Sequence, residues 1–214
     1  MRYRTIFFDL DGTLIDHFQA LHRSHCYAMR QVGLPEPTYA QVHAAIGGGL
    51  ELAITRLAGA DRLKEVYPHF IKYWDATNLD DVVALPGAHE ILTQLNAAGV
   101  CCAVLTNKRG VAAREVCAHL KLTPLLAGVF GADDVAWIKP DPRFAEYALT
   151  TLGRDAAGTA LIGDSPWDVA TAKNSGFAFY GVTTGTHNTE ELVAAGASAE
   201  NVFAGLPDVA RALK

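Results

Sequence analysis

Two aspartates, Asp9 and Asp11, stand at the end of the first apolar run of the chain, within residues 7–13 of sequence FFDLDGT. Side chains two residues apart on an extended strand point the same way, so both carboxylates face one site. Such a pair repels itself unless a cation is near, and Mg²⁺ prefers oxygen ligands of this kind. Gly12 lets the backbone approach an anion closely. These residue types are also common where an ordinary strand enters a turn, so this segment alone leaves its function open.

Three later stretches carry polar groups of other kinds. Thr106 and Asn107 follow an apolar run and offer a hydroxyl and an amide that can hydrogen-bond a phosphate. Lys139 lies in a loop stiffened by two prolines, and Asp164 and Asp168 follow another apolar run. Each stretch could also have a purely structural role. Thr106 and Asn107 could cap a helix, Lys139 could be a surface lysine, and Asp168 could be an acid in the first turn of a helix. Their occurrence together at strand ends favours one shared site.

The elements that must position these residues alternate between strands and helices. Short continuous apolar runs, as expected of strands buried in a parallel sheet, lie at residues 5–8, 100–105, 128–130, 160–162 and 178–182. Segments of helical period lie at residues 88–98, 110–120, 142–152, 166–175, 188–195 and 206–213. This alternation predicts an α/β fold with a doubly wound parallel sheet. In open sheets of this kind, ligands bind at the carboxyl ends of the strands.

One long stretch, residues 16–85, interrupts the alternation because it shows only helical periodicity. Within it, Thr38 and Gln41 have the spacing of a capping box, in which each side chain satisfies a free amide at a helix start. Seventy residues of helix are too many for one crossover connection. The pattern therefore predicts an inserted all-helical domain at 16–85, with a core domain formed by residues 1–15 and 86–214.

The composition limits the partners of the chain. Its 214 residues are 50% apolar and 19% charged, with a formal charge of −5, which is typical of a globular protein. Nucleic acid is not expected as a partner, because phosphate backbones are bound by clustered Lys and Arg. No apolar run reaches the length of a membrane span or a signal-peptide core. The four cysteines show no CxxC spacing and are expected to be reduced thiols. We therefore expect a cytoplasmic monomer or homodimer.

Taken together, the four polar stretches resemble the motifs of the haloacid-dehalogenase superfamily of phosphotransfer enzymes, on its phosphoglycolate-phosphatase side. The matching segments are residues 9–13, Thr106 with Asn107, Lys139 with Pro140, and Gly163-Asp164 with Asp168. The helical stretch resembles the cap domain of that family. Gly47 and Gly48, in residues 46–50, resemble a glycine-bearing cap segment that faces the active site in relatives.

The resemblance implies a Mg²⁺-dependent phosphatase acting on a small phosphorylated metabolite such as phosphoglycolate. Asp9 would be the nucleophile that forms an aspartyl phosphate, and Asp11 would protonate the leaving alkoxide and then activate water. The metal would be held by the Asp9 carboxylate, the Asp11 carbonyl and Asp164, with Asp168 in or near its shell. Residues implied to bind the phosphoryl group or the substrate are Thr106, Lys139, Gly12, Asn107, Gly47 and Gly48.

Other activities of the same architecture are weighed against this one. A sugar phosphomutase would use Asp9 identically but return the phosphoryl group to a bound sugar phosphate. An inactive phosphate-binding module is disfavoured because Asp9, Asp11, Lys139 and Asp164 are all present. Dehalogenases lack the acid two residues after the nucleophile, since a halide needs no proton. Phosphonoacetaldehyde hydrolases need a cap lysine, and none stands near Leu50.

Two residues near the motifs have open roles. His17 stands where the chain enters the inserted region, and we expect a polar hinge residue there rather than a substrate contact. Trp167 lies inside the fourth motif, where small polar residues are common in relatives. We expect its indole to pack on the sheet rather than to narrow the pocket.

Four residues of the inserted region are also candidates for binding. His22 and His25 share one helical face at a spacing that can bind zinc. A metal role is not expected for them, because no acid stands beside them. Arg56 and Arg62 are of a type that clamps carboxylates, but solvated helix faces are the stronger interpretation.

Overall fold

The computed structural model describes residues 2–213. The strands among them are β1 (Thr5–Phe8), β2 (Ile15–Asp16), β3 (Val83–Ala84), β4 (Cys101–Leu105), β5 (Gly128–Phe130), β6 (Thr159–Gly163), β7 (Ala178–Val182) and β8 (Val202–Phe203). The α-helices are α1 (Phe18–Gln31), α2 (Tyr39–Ala45), α3 (Leu50–Ala58), α4 (Leu63–Thr77), α5 (Ala88–Ala97), α6 (Gly110–His119), α7 (Pro142–Thr151), α8 (Pro166–Ser175), α9 (Thr189–Ala194) and α10 (Leu206–Ala212).

Six of the strands form one parallel sheet in the order β5-β4-β1-β6-β7-β8. The predicted doubly wound α/β fold is confirmed. Strand β1 lies at the point where the order reverses, with Phe8 in register with Val104 of β4 and Ile162 of β6. In such sheets the crevice at this reversal, outside the carboxyl ends of the strands, is where ligands bind.

Both faces of the sheet are covered, which explains the continuous apolar strands. Successive side chains of a strand point to opposite faces. Phe8 accordingly joins one core cluster with Ile91 and Leu95 of α5, and Phe7 joins the other with Phe144 of α7. All four residues of β1 are buried. The first motif therefore begins from a strand held rigidly on both sides.

Helices α1 to α4 pack on one another around a separate apolar cluster that includes Phe18, Ile54, Phe70 and Trp74. We call the segment from β2 to β3, with these four helices, the cap. The predicted capping box at the start of α2 is confirmed, because the Thr38 hydroxyl and the Gln41 side chain bond each other's backbone amides. The division into domains at residues 16 and 85 stays a prediction.

Two features differ from the sequence prediction. Residues 16–85 are not exclusively helical, because β2 and β3 pair as an antiparallel ribbon where the chain enters and leaves the cap. The short strand β8 was also missed. Each of these strands has two residues, too few to show a period of two, and Val83 is 53% exposed. None of the helices within residues 2–213 has the length and apolar character that a membrane crossing requires.

Candidate active site

The parallel sheet brings three of the predicted site residues to one edge. Asp9, Thr106 and Asp164 each follow directly after a strand, namely β1, β4 and β6. The ladder continues one residue beyond the strands, since the Asp9 amide donates to the Ile162 carbonyl at 2.9 Å and the Thr106 amide to the Phe130 carbonyl at 3.0 Å. These backbone bonds fix where the Asp9 and Thr106 side chains start.

Three buried aspartates form a cluster at this edge. One carboxylate oxygen each from Asp9, Asp164 and Asp168 lies within 4.8 Å of the other two. Burial raises the pKa of Asp9 to about 6, although the nearby Lys139 ammonium acts to lower it. The pKa of Asp164 is raised well above its usual value by burial and by repulsion from the Asp9 and Asp168 carboxylates. Three carboxylates with one ammonium leave excess negative charge. Their oxygens fit a divalent cation.

Lys139 is the cation already present in this cluster. Its Nζ lies 2.8 Å from Asp9 Oδ1 and 2.7 Å from Asp168 Oδ1, and the residue is only 1% exposed. Although burial acts to lower it, the carboxylates of Asp168 and Asp9 hold the pKa of Lys139 above its usual value. The other oxygen of Asp168 accepts hydrogen bonds from the Ser165 hydroxyl and amide. Both carboxylate oxygens of Asp168 therefore accept hydrogen bonds, and Asp168 orients the Lys139 ammonium.

Asn107 holds the Lys139 loop and the cap in place. Its Oδ1 accepts from the Lys139 amide at 2.9 Å, and its Nδ2 donates to the carbonyls of Lys139 and Gly47 at 3.1 and 3.2 Å. The expectation that this side-chain amide binds phosphate stays a prediction, and in the structure the buried amide is partnered by backbone groups. The Thr106 hydroxyl accepts from the Lys108 amide at 3.2 Å, and its own proton is available to a ligand.

Asp11 lies outside the aspartate cluster. Its carboxylate oxygens are 3.1 and 3.0 Å from Lys108 Nζ, and one lies 3.5 Å from His17 Nδ1. Although burial acts to raise it, Lys108 and His17 hold the pKa of Asp11 below its usual value. His17 is fully buried, and its Nε2 donates to the Asn78 carbonyl. Sequence reasoning missed Lys108, although it directly follows Thr106 and Asn107 at the same strand end.

A glycine contact positions Asp164. A Cβ on Gly12 would lie 2.7 Å from the Cα of Gly185 and 2.8 Å from Asp164 Oδ2, and Gly12 has a φ of 84°. The carboxylate accepts from the Thr13 hydroxyl and the Thr186 amide, both at 3.0 Å. Sequence reasoning missed the loop of Gly185 and Thr186. The sequence did contain a signal for it, because this loop follows the predicted strand β7, and loops at the carboxyl ends of parallel strands lie at the same edge of the sheet as Asp164.

The glycines of the cap meet the core at Trp167. A Cβ on Gly47 would lie 3.2 Å from Trp167 Cδ1, and one on Gly48 would lie 2.9 Å from its Cζ2. The expectation that Trp167 packs on the sheet is therefore wrong. The indole, in the first turn of α8, lies against the cap because the absence of side chains at these two glycines leaves room for it.

A cavity of about 80 Å³ lies between the cap and the carboxyl end of the sheet. Its core end is formed by the site residues Asp9, Asp11, Thr106, Asn107 and Asp164, together with Lys108. Its cap end is formed mainly by apolar side chains of Leu21, Ile46, Leu50, Phe70, Ile71 and Trp74. One space is thus charged at one end and apolar at the other.

The other cap candidates are placed differently. The His22 ring bonds the Pro37 carbonyl at 3.0 Å, whereas His25 lines the cavity. Within residues 2–213, the aspartate cluster is the only group of three or more His, Cys, Asp or Glu side chains that is spaced to hold a metal. Arg56 and Arg62 do not line this cavity; Arg56 is exposed, whereas the Arg62 side chain is 30% exposed and pairs with Glu65.

Comparison with sequence families places the chain among known proteins. The family model described as haloacid dehalogenase-like hydrolase matches residues 6–182. The chain is 33% identical over 196 residues to the probable phosphatase IndB of Dickeya dadantii, covering 89% of this chain and 85% of that protein. It is also 33% identical to a phosphoglycolate phosphatase of Caulobacter vibrioides, with coverage of 88% and 82%. A 5'-nucleotidase of Pseudomonas aeruginosa is 30% identical, with coverage of 90% and 88%.

Solved structures share the fold over the whole length. A crystal structure described as a predicted phosphoglycolate phosphatase from Haemophilus somnus has a TM-score of 0.91, with 24% identity and coverage of 100% of this chain and 99% of that one. A haloacid dehalogenase-like hydrolase from Bacteroides fragilis has a TM-score of 0.90, with 24% identity and coverage of 97% and 99%. At these identities, the likeness establishes the fold, including the cap helices.

Proposed function

The chain belongs to the haloacid dehalogenase-like hydrolase family, and within it we propose a Mg²⁺-dependent phosphatase that hydrolyses a small phosphate monoester. The reaction would pass through an aspartyl phosphate on Asp9. The observation that supports this most directly is the buried group of Asp9, Asp164, Asp168 and Lys139, which combines a carboxylate nucleophile with cationic stabilisation at one point.

Asp9 is the proposed nucleophile. An oxygen of its carboxylate forms a bond to phosphorus while the bond from phosphorus to the ester oxygen breaks. Phosphoryl transfer spreads negative charge over the equatorial oxygens, so positioning and positive charge supply most of the catalysis. Lys139 Nζ lies 2.8 Å from Asp9 Oδ1, so its positive charge can stabilise the negative charge on the transferring phosphoryl group. The Thr106 hydroxyl can donate a hydrogen bond to a phosphoryl oxygen.

Asp9 and Asp164 are the proposed metal-binding side chains, with the Asp11 carbonyl as a third ligand implied by the family resemblance. When bound, Mg²⁺ would neutralise charge between the aspartates and the phosphate. Asp168 would stand beside this metal rather than bind it directly, because one of its oxygens is paired with the Lys139 ammonium and the other accepts from both the hydroxyl and the amide of Ser165.

Asp11 is the proposed acid and base. It gives a proton to the leaving alkoxide, then takes one from the water that attacks phosphorus and releases Asp9. In the structure its carboxylate is paired with Lys108 and therefore ionised. Proton donation thus requires Asp11 to leave Lys108, take up a proton from solvent and turn towards the ester oxygen. Because Lys108 also lies over the ring of Trp74 of the cap, movement of the cap can govern this turn.

The proposed substrate class is a small phosphorylated metabolite. Relatives named phosphoglycolate phosphatase and 5'-nucleotidase make phosphoglycolate and nucleoside monophosphates the first esters to test. The test measures inorganic phosphate released from a panel of phosphate monoesters, including p-nitrophenyl phosphate, with Mg²⁺ and with EDTA. We expect release that EDTA abolishes and added Mg²⁺ restores.

Three outcomes would overturn the proposal. Release that persists in EDTA would remove the metal from the mechanism. Transfer between sugar phosphates with little phosphate release would indicate a phosphomutase. Tight binding of phosphate without turnover of any ester would indicate an inactive binding module.

A further inference from the structure

One polar side chain of the cap has no role in the proposed chemistry. His25, on α1, is fully buried and lines the cavity. Neither of its ring nitrogens has a hydrogen-bond partner among residues 2–213. Buried polar groups in folded proteins are nearly always partnered, so an exception beside a cavity needs an explanation.

The surroundings of His25 are apolar and keep it uncharged. Its ring lies 4.6 Å from that of Phe70, centroid to centroid. Burial, with a small contribution from His22, lowers the pKa of His25 to about 3. A neutral imidazole offers one N–H donor and one nitrogen acceptor, which suits an uncharged hydroxyl, amide or carbonyl.

Among the described residues, the cap end of the cavity has no free positive charge for a substrate carboxylate. Of the two Lys and Arg side chains that line the cavity as a whole, Lys108 lies at the core end beside Asp11, and Arg109 lies 3.5 Å from Asp75 and 3.7 Å from Asp133. Moving a carboxylate from water into an apolar space without a partner is strongly unfavourable. An uncharged, largely apolar group has no such penalty and is favoured by burial there.

We infer that the cap end of the cavity binds the alcohol part of the substrate, that this part is uncharged and largely apolar, and that His25 hydrogen-bonds a polar atom carried on it. This inference rests on the proposed phosphatase function, because the cavity is continuous with Asp9 and Asp164. The substrate is thus the phosphate monoester of an apolar alcohol with a second polar group away from the ester. Phosphoglycolate, whose alcohol part carries a carboxylate, does not fit this description.

The test compares phosphate release from alkyl phosphates of increasing length with release from their ω-hydroxy counterparts and from phosphoglycolate. Leaving alcohols of one length differ little in reactivity, so differences in kcat/KM report binding. We expect kcat/KM to rise with chain length, to exceed that for phosphoglycolate, and to favour the ω-hydroxy ester by about tenfold at the length that reaches His25.

The His25→Phe variant removes both ring nitrogens while keeping an aromatic ring. It should lose the ω-hydroxy preference and keep kcat/KM for the plain alkyl ester within about threefold of the wild type. His25→Gln, which retains a donor and an acceptor, should keep part of the preference. His22→Phe is the matched control, one turn earlier on α1 and outside the cavity, and it should leave the preference unchanged.

The outcomes separate this inference from the proposed function. If neither p-nitrophenyl phosphate nor any other ester releases phosphate, the phosphatase proposal fails. If wild-type protein hydrolyses esters but prefers phosphoglycolate to every alkyl ester, or His25→Phe keeps the ω-hydroxy preference, only the inference about the cap fails. The wild-type comparison decides the matter even if the His25→Phe variant does not fold.

Discussion

The two ends of the cavity differ in how their polar groups are satisfied. At the core end, Lys139 and the Asp168 carboxylate are each held by short contacts to their partners, and excess negative charge remains for a cation. At the cap end, one neutral imidazole, His25, stands among apolar side chains with both nitrogens unpartnered in the described chain. This difference supports the proposal that the core end carries out phosphoryl transfer and that the cap end selects the alcohol part of the substrate.

The largest expected effect comes from the nucleophile at the core end. Asp9→Asn should lower kcat by about 10⁴-fold or more, because an amide oxygen is a poor nucleophile towards phosphorus. The fold should survive, since the change removes one of three mutually repelling buried carboxylates. Phosphate release and thermal unfolding check this. The control Asp155→Asn, at an exposed residue paired with Arg4, should leave kcat within about twofold. Appreciable activity in a clean Asp9→Asn preparation would contradict the role of Asp9.

A smaller effect is expected at Asp11. In the first turnover, Asp11→Asn should slow release of an alkyl alcohol by about 10²-fold or more, because an alkoxide needs a proton to leave. Release of p-nitrophenol, a good leaving group, should slow by about tenfold or less. Rapid-mixing measurements with both esters provide the comparison. Equal losses on the two esters would show that Asp11 is not the acid.

The smallest effect is a contrast in folding stability in metal-free protein. With rising pH, the stability contributed by Asp9 at the core end should fall, and that contributed by His25 at the cap end should rise. The pKa of Asp9 is raised from 3.8 to about 6, so its favourable contribution to stability is complete below pH 3.8 and is lost as the pH rises to about 6. The pKa of His25 is lowered from 6.5 to about 3, so its contribution is complete above pH 6.5 and is lost as the pH falls towards 3.

Urea unfolding in EDTA at several pH values measures this contrast. Between pH 4 and 6, the stability of the wild type relative to Asp9→Asn should fall with rising pH, by roughly 1–3 kcal/mol. Over the same range, its stability relative to His25→Phe should rise by a similar amount, roughly 1–3 kcal/mol. If the stability of the wild type relative to both variants changed in the same direction with pH, the contrast between the two ends would be wrong.

The sheet and the core end could be predicted from the sequence because their signals are local. Asp9, Thr106 and Asp164 each follow an apolar run, and parallel strands carry such residues to one edge whatever the rest of the chain does. The predicted strand and helix limits lie within one residue of those in the structure for the same reason. Roles assigned to these residues stay predictions until activity is measured.

The cap end could not be predicted, because its signals are distant in sequence. His25 on α1 meets Phe70 on α4, and helical periodicity does not distinguish a residue in a packed core from one lining a cavity. Trp167 was misplaced because nothing local shows that Gly47 and Gly48 lie opposite it. The pairing of Asp11 with Lys108 likewise depends on how two strand ends face each other.

The central claim, that Asp9 carries the phosphoryl group, is tested most directly by trapping it. In the Asp11→Asn variant with p-nitrophenyl phosphate and Mg²⁺, the first step is fast because the leaving group is good, and the second is slow because the water lacks its base. Acid quenching followed by peptide mass spectrometry should find the mass of one phosphoryl group on the peptide that contains Asp9. A burst of p-nitrophenol without that adduct, or with the adduct on another residue, would contradict the account.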